Sequence, residues 1–349
     1  MFRNLSTDAL GFWAPQNEQI ELALSFGFKS IDFGLVDFSE QVESRGIDKA
    51  RRLIDSAKIR VGAFRLPVNL EAENEAFATQ IQQLKAIVPL AANLECTRSI
   101  VKVAPATDRL PMHENFELHR ARLAEVGEAL APHNVRLGVG FDAPAHWRDE
   151  NQFEFVHDHD TLVKLVDAVG HESIGFLIDC WQLHVCGTPL DAVRDLVPRT
   201  VYVQVADAPA GAATAKLKED ARMSPSAAGA IDVERFIKIL LESKYEGPIT
   251  PVVHFGQFQG RRRDQAIWLI GQALDEIWEA VGLPRVLKPP PEPYGASSAK
   301  SKDADDKESE EVNGKTDDDA EKGDATESDA KAVAANDGAS KPEAATQSA

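Results

Sequence analysis

Gly175-Phe-Leu-Ile-Asp-Cys-Trp-Gln-Leu-His184 is the stretch on which the fold turns. An apolar run of β-forming residues reaches a carboxylate at Asp179 and then spills into Trp181, Gln182 and His184. A parallel strand buried on both faces delivers polar groups to its carboxyl end in this way, and in α/β barrels chemistry collects at such ends. Thr200-Val-Tyr-Val-Gln-Val-Ala-Asp207 repeats the shape, with Gln204 inside an otherwise apolar run and Asp207 just past it. Two strands of this kind imply one shared mouth. Taken singly, Asp179 and Asp207 read equally well as caps of the helices that follow.

Working outward, strand and helix patterns alternate along the chain. Asn4 to Phe12 opens as a strand, and Gln16 to Gly27 carries apolar residues at helical spacing up to a glycine stop. Strand patterns then recur at residues 29–34, 59–66, 98–104, 135–142, 174–179, 200–206 and 248–255. Helical patterns fall at 46–57, 74–91, 115–131, 160–169, 190–196, 233–243 and 263–281, with a longer loop at 208–230. Eight strands alternating with eight helices over roughly 250 residues predict an α/β fold, the (β/α)8 TIM barrel. No glycine-rich phosphate loop follows the first strand, which argues against a dinucleotide fold.

The barrel is expected over residues 1–284 and a Pro-rich hinge with an acidic tail over 285–349. From Glu292 onward there are 16 acidic residues against seven lysines, half of the chain's net charge of −18. With one aromatic and almost no branched apolar residues, this stretch cannot bury enough surface to offset ordering, and disorder is expected. Lys288-Pro-Pro-Pro-Glu-Pro293 reads as a stiff extended spacer. Net acidity without a basic face argues against nucleic acid. No apolar segment reaches membrane-spanning or signal-peptide length. Cys96, Cys180 and Cys186 form no pairing or zinc pattern, so a cytoplasmic location is expected. The sequence leaves the oligomeric state open.

The chain resembles the xylose isomerase-like barrel superfamily of sugar isomerases and epimerases. Gln19-Ile-Glu-Leu-Ala-Leu-Ser-Phe-Gly-Phe-Lys-Ser-Ile-Asp32 is similar to its opening helix and second strand. Ile178-Asp-Cys-Trp-Gln-Leu-His184 is similar to its aspartate-tryptophan-histidine strand end. Val203-Gln-Val-Ala-Asp-Ala-Pro209 and Tyr245-Glu-Gly-Pro-Ile-Thr-Pro251 resemble the last two strand regions. The resemblance implies a divalent ion (Mg, Mn or Zn) held by two glutamates, an aspartate and a histidine or glutamine. It would polarise a substrate oxygen while a carboxylate moves a proton. Asp179 and Gln204 match two of these ligands. Gly140 and Val252 stand where the glutamates belong, and neither offers a donor.

Residues two apart share a strand face, so Asp142, two past Gly140, and His254, two past Val252, are expected to face the mouth. With His184 they are the acid/base candidates. Arg65, Lys102, Trp181, Asp207 and Arg222 are the candidates for holding a small sugar-like substrate. Lys102 reads equally as a barrel lysine paired with Asp32. The function expected is isomerase- or epimerase-like proton transfer, the alternative being a non-catalytic barrel that binds a sugar-like ligand or a protein.

Overall fold

The computed structural model describes residues 1–226 and 228–287. The expected hinge from Lys288 and the acidic tail lie outside the described residues. Eight parallel strands close into a barrel: β1 (Phe2–Leu5), β2 (Ser30–Phe33), β3 (Arg60–Arg65), β4 (Arg98–Lys102), β5 (Arg136–Gly140), β6 (Ile174–Asp179), β7 (Thr200–Val205) and β8 (Pro248–Pro251). Each strand pairs with its sequence neighbours, and β8 closes on β1. The registers set Asp179 beside Gln204, Gln204 beside Thr250, and Lys102 beside Gly140. The polar strand ends therefore meet at one mouth.

Helices pack on the outside because each carries an apolar stripe. Val233–Glu242 buries Phe236, Ile237 and Leu240, and Asn74–Asn93 buries Phe77, Ile81, Leu84 and Val88. Outward-facing strand residues such as Ile249 and Val203 join these stripes in the main core. Inside the barrel a small apolar layer of Ala63, Leu177 and Tyr202 packs with Ile100. Beneath the mouth lies a polar network. Asn4 Nδ2 donates to Asp32 Oδ1 at 2.8 Å and to Tyr202 Oη and Thr250 Oγ1, each at 3.0 Å. Ser30 Oγ donates to Asn4 Oδ1 at 2.6 Å, and Tyr202 Oη donates to Asp32. Asn4, Ser30, Asp32, Tyr202 and Thr250 thus satisfy one another within the lumen.

Local structure departs from the sequence pattern where turns and prolines intervene. The opening strand stops at Leu5, and Thr7 O then accepts from Leu10 and Phe12 N–H, turning the chain over the mouth. A second helix, Leu35–Arg45, precedes Ile47–Ala57, the two joined at Gly46 with φ 82°. The 190–196 pattern forms 3₁₀ turns over Leu190–Arg199, a run containing Pro198, whose missing N–H denies an α-helix a donor. A short helix, Cys180–Val185, begins directly at Asp179. The last strand stops at Pro251, so His254 lies in the loop beyond it.

Candidate functional site

Asp179 ends β6 with its side chain accepting from Trp181 N–H at 3.0 Å, the cap that starts the short helix. Its other oxygen accepts from Arg222 Nη2 at 2.7 Å, with side chains only 2% and 4% exposed. The guanidinium also lies 4.3 Å over the Trp181 ring. Burial works against its charge, but the charge and hydrogen bond of Asp179, with Asp142 further away, outweigh it and hold the guanidinium above its ordinary pKa. Asp179 is therefore both a cap and the counter-ion of a buried cation.

Arg222 reaches this place because its loop is tied to Asp207. Asp207 and Met223 exchange backbone hydrogen bonds at 3.0 and 2.9 Å. The Asp207 carboxylate accepts from Ala208 N, Ile231 N and Ser226 Oγ, closing both ends of the 208–230 loop. A Cβ at Gly229 would sit 1.9 Å from that carboxylate, so only glycine lets the chain pass there. His254 N–H donates to Arg222 O at 3.1 Å and fixes the β8 loop to the same segment.

A cavity of about 760 Å³ opens between these loops. Its wall includes Asp32, Arg65, Lys102, Asp142, Leu177, Gln204, Glu219, Arg222, Val252 and His254. Asp142 lies two residues beyond β5, where its Oδ1 accepts from Lys102 Nζ at 2.6 Å and Gln182 Nε2 at 2.7 Å. Gln182 is itself fixed by accepting from Ala143 N–H at 2.7 Å. The lysine is thus paired with Asp142 rather than Asp32. His254, exposed at the rim, accepts from Gly256 N–H through Nδ1, which leaves Nε2–H to face a ligand when the ring is neutral. Arg65 is exposed at the end of β3 and has no side-chain partner among the described residues.

Three sequence candidates stand behind the wall instead of in it. Trp181 is fully buried beneath the Arg222 guanidinium. Asp207 is fully buried as the loop anchor. His184 is carried away from the mouth on the short helix, and burial pushes its imidazole below the usual range, with Asp207 opposing. Burial also pushes the Cys180 thiol up, and its Sγ donates to Ala206 O, which leaves it no nucleophilic role.

Asp32, outside the sequence candidates, also lines the cavity wall. Burial pushes the Asp32 carboxyl up to about 6, against hydrogen bonds from Tyr202, Asn4 and Ser6. The signal lay in the polar residues Asn4, Asp32, Tyr202 and Thr250 inside otherwise apolar strands. Because the folded-state value lies above the unfolded one, this carboxyl favours folding most below about pH 4, and that contribution is lost as pH rises through 6. Stability measured by denaturation should therefore fall by about 2–3 kcal/mol more between pH 4 and 6.5 in the native chain than in Asp32→Asn. Identical slopes would place this titration elsewhere.

The metal ligands implied by the family pattern do not assemble. Asp179 is occupied by Arg222, and Gly140 and Val252 contribute no donor. A Cβ at Gly140 would lie 2.9 Å from Leu177 Cδ2, so the leucine fills the space a longer side chain would need. Among the described residues, no three His, Cys, Asp or Glu side chains are placed to share an ion. This donor set does not fit a divalent cation.

Comparison with known proteins agrees with this architecture. An inosose isomerase of Halalkalibacterium halodurans is 21% identical over 145 residues, 42% of this chain. The chain spans about half of that relative, 49% of its length. A xylose isomerase domain protein from Alicyclobacillus acidocaldarius superposes with a TM-score of 0.73 at 20% identity, covering 80% of this chain and 99% of the other. An IolI protein with a bound zinc atom gives 0.68 at 14%, again over 80% and 99%. A D-psicose 3-epimerase with D-tagatose from Clostridium cellulolyticum gives 0.63 at 10%, with the same coverage. At these identities the structural likeness is one of fold. The family described as xylose isomerase-like TIM barrel matches residues 20–272, most of the barrel, and the chain belongs to that family.

Proposed function

We propose that the chain is an isomerase or epimerase of a small polyhydroxylated carbonyl compound, working by proton transfer in the mouth cavity. The observation that carries this reading is Asp142, a carboxylate held between Lys102 Nζ and Gln182 Nε2 on the wall of a sugar-sized cavity. A proton leaves the carbon next to the substrate carbonyl for Asp142, and the electron pair moves onto the carbonyl oxygen. Return of a proton to the neighbouring carbon isomerises the substrate, and return to the opposite face of the same carbon epimerises it. No electrons leave the substrate, so no redox partner is required. His254 Nε2–H is the group at the rim that passes a proton between substrate oxygens, and the exposed Arg65 holds an outer oxygen. Trp181, His184 and Asp207 support the site from behind.

The relatives guide the choice of substrates to test, namely inososes and ketohexoses. A cytoplasmic location suits the three free cysteines. No helix among the described residues is long and apolar enough to cross a membrane. In D2O, followed by proton NMR, the full chain should exchange the carbon-bound hydrogen beside the carbonyl of at least one such compound. Asp142→Asn should slow that exchange by about 10²–10⁴-fold. Exchange that survives Asp142→Asn would remove the residue from the chemistry. The absence of exchange with every compound would leave the non-catalytic, ligand-binding barrel.

A further inference from the structure

The deep wall of the cavity is closed to a metal, yet two of its polar atoms are unsatisfied. Among the described residues, Arg222 is buried with Nη1 lacking a partner, and Gln204 is buried with Oε1 lacking one. Both residues line the cavity, and Gln204 stands beside Asp179 on the neighbouring strand. A buried donor and a buried acceptor each cost stability until they are paired. Resting on the hydroxy-carbonyl reading of this cavity, we propose that the Arg222 guanidinium is the site's permanent cation, seated on Asp179 in place of a divalent ion.

The guanidinium is suited to this place. Its Nη2 is spent on Asp179 Oδ2 and its face is covered by Trp181, so it cannot swing out to solvent. A planar, always-charged group fixed in this way presents its remaining N–H bonds in one direction. Leu177 fills the room beside Gly140 and removes the space for a competing carboxylate. A cation of this kind is part of the chain and is not removed by a chelator.

Binding and exclusion are both read with Mn²⁺ alone, by loss of the free-ion EPR signal and by thermal unfolding, on the full chain. The native chain should bind no stoichiometric Mn²⁺. Arg222→Met, which uncovers Asp179 and Gln204, should bind it at least about tenfold more tightly than the native chain. At about 5 mM Mn²⁺ its melting temperature should rise by about 3 °C while that of the native chain stays fixed. Asp179→Asn combined with Arg222→Met should lose both effects. Stoichiometric binding by the native chain that disappears in Asp179→Asn overturns the proposal, and so does an Arg222→Met chain that gains no affinity. Should Arg222→Met not fold, the native chain and its Asp179→Asn variant still decide the matter. Proton exchange in EDTA tests the isomerase reading separately. Exchange present without metal supports both, and exchange appearing only with added Mn²⁺ overturns the permanent cation while leaving the isomerase. Absent exchange with no Mn²⁺ bound removes the isomerase alone.

Discussion

Arg222→Ala should lower unfolding stability by about 3–5 kcal/mol, the range found when one partner of a buried ion pair is removed. The reason lies in what is left behind. Asp179 Oδ2 would keep its charge in a site only 2% exposed, with one backbone N–H from Trp181 as its remaining support on the other oxygen. The truncation also strips the cover from one face of the Trp181 ring. In a barrel of this size the melting temperature should drop on the order of 10 °C. Neutralising both partners in Asp179→Asn/Arg222→Met should recover most of the loss, because no charge then remains buried without a partner. Recovery is measured by chemical denaturation of Arg222→Ala, of the single variants Asp179→Asn and Arg222→Met, and of the double variant. A double variant as unstable as Arg222→Ala would mean that packing over Trp181, and not charge, dominates.

The barrel was legible because each parallel strand is covered on both sides and so reads as an apolar run. The same fact made the exceptions legible. Asp179 and Gln204 interrupt such runs, and they stand side by side at the mouth. Pairings across the barrel were not legible, since nothing local links Arg222 to a carboxylate 43 residues earlier or Asp142 to Lys102 rather than Asp32 to Lys102. Strand alternation placed Asp142 and His254 on the cavity wall, although both lie beyond their strands. It gave no guide to His184, because a helix starts at Cys180 and turns the chain away from the mouth. The polar lumen around Asn4, Ser30 and Asp32 was written in the strands, but its meaning depends on Tyr202 and Thr250 arriving from the far side.

Asp207→Ala should be the next most damaging change, and it should disable the site without touching the cavity wall. The carboxylate is fully buried and accepts from Ala208 N at 2.7 Å, Ser226 Oγ at 2.8 Å and Ile231 N at 3.0 Å. Hydrogen bonds to a charged acceptor contribute about 1.5–3 kcal/mol each, and the orphaned N–H groups add a desolvation cost. Non-additivity and entry of water into the vacated space bring the expected loss to about 3–4 kcal/mol. Gly229 approaches this carboxylate so closely that the deletion also leaves a gap beneath the loop. What the anchor secures is the return of the chain through Met223, whose backbone pairs with Asp207 one residue after Arg222. Releasing it should let the 208–230 segment open locally, so that protease cuts there at concentrations that leave the native barrel whole. Asp207→Asn keeps an acceptor for the two backbone donors and should retain a larger part of the stability. If Asp207→Ala resists cleavage within 208–230 as well as the native chain does, the loop is held chiefly by its own backbone turns, and the positioning of Arg222 must then be traced to the His254 N–H to Arg222 O contact instead.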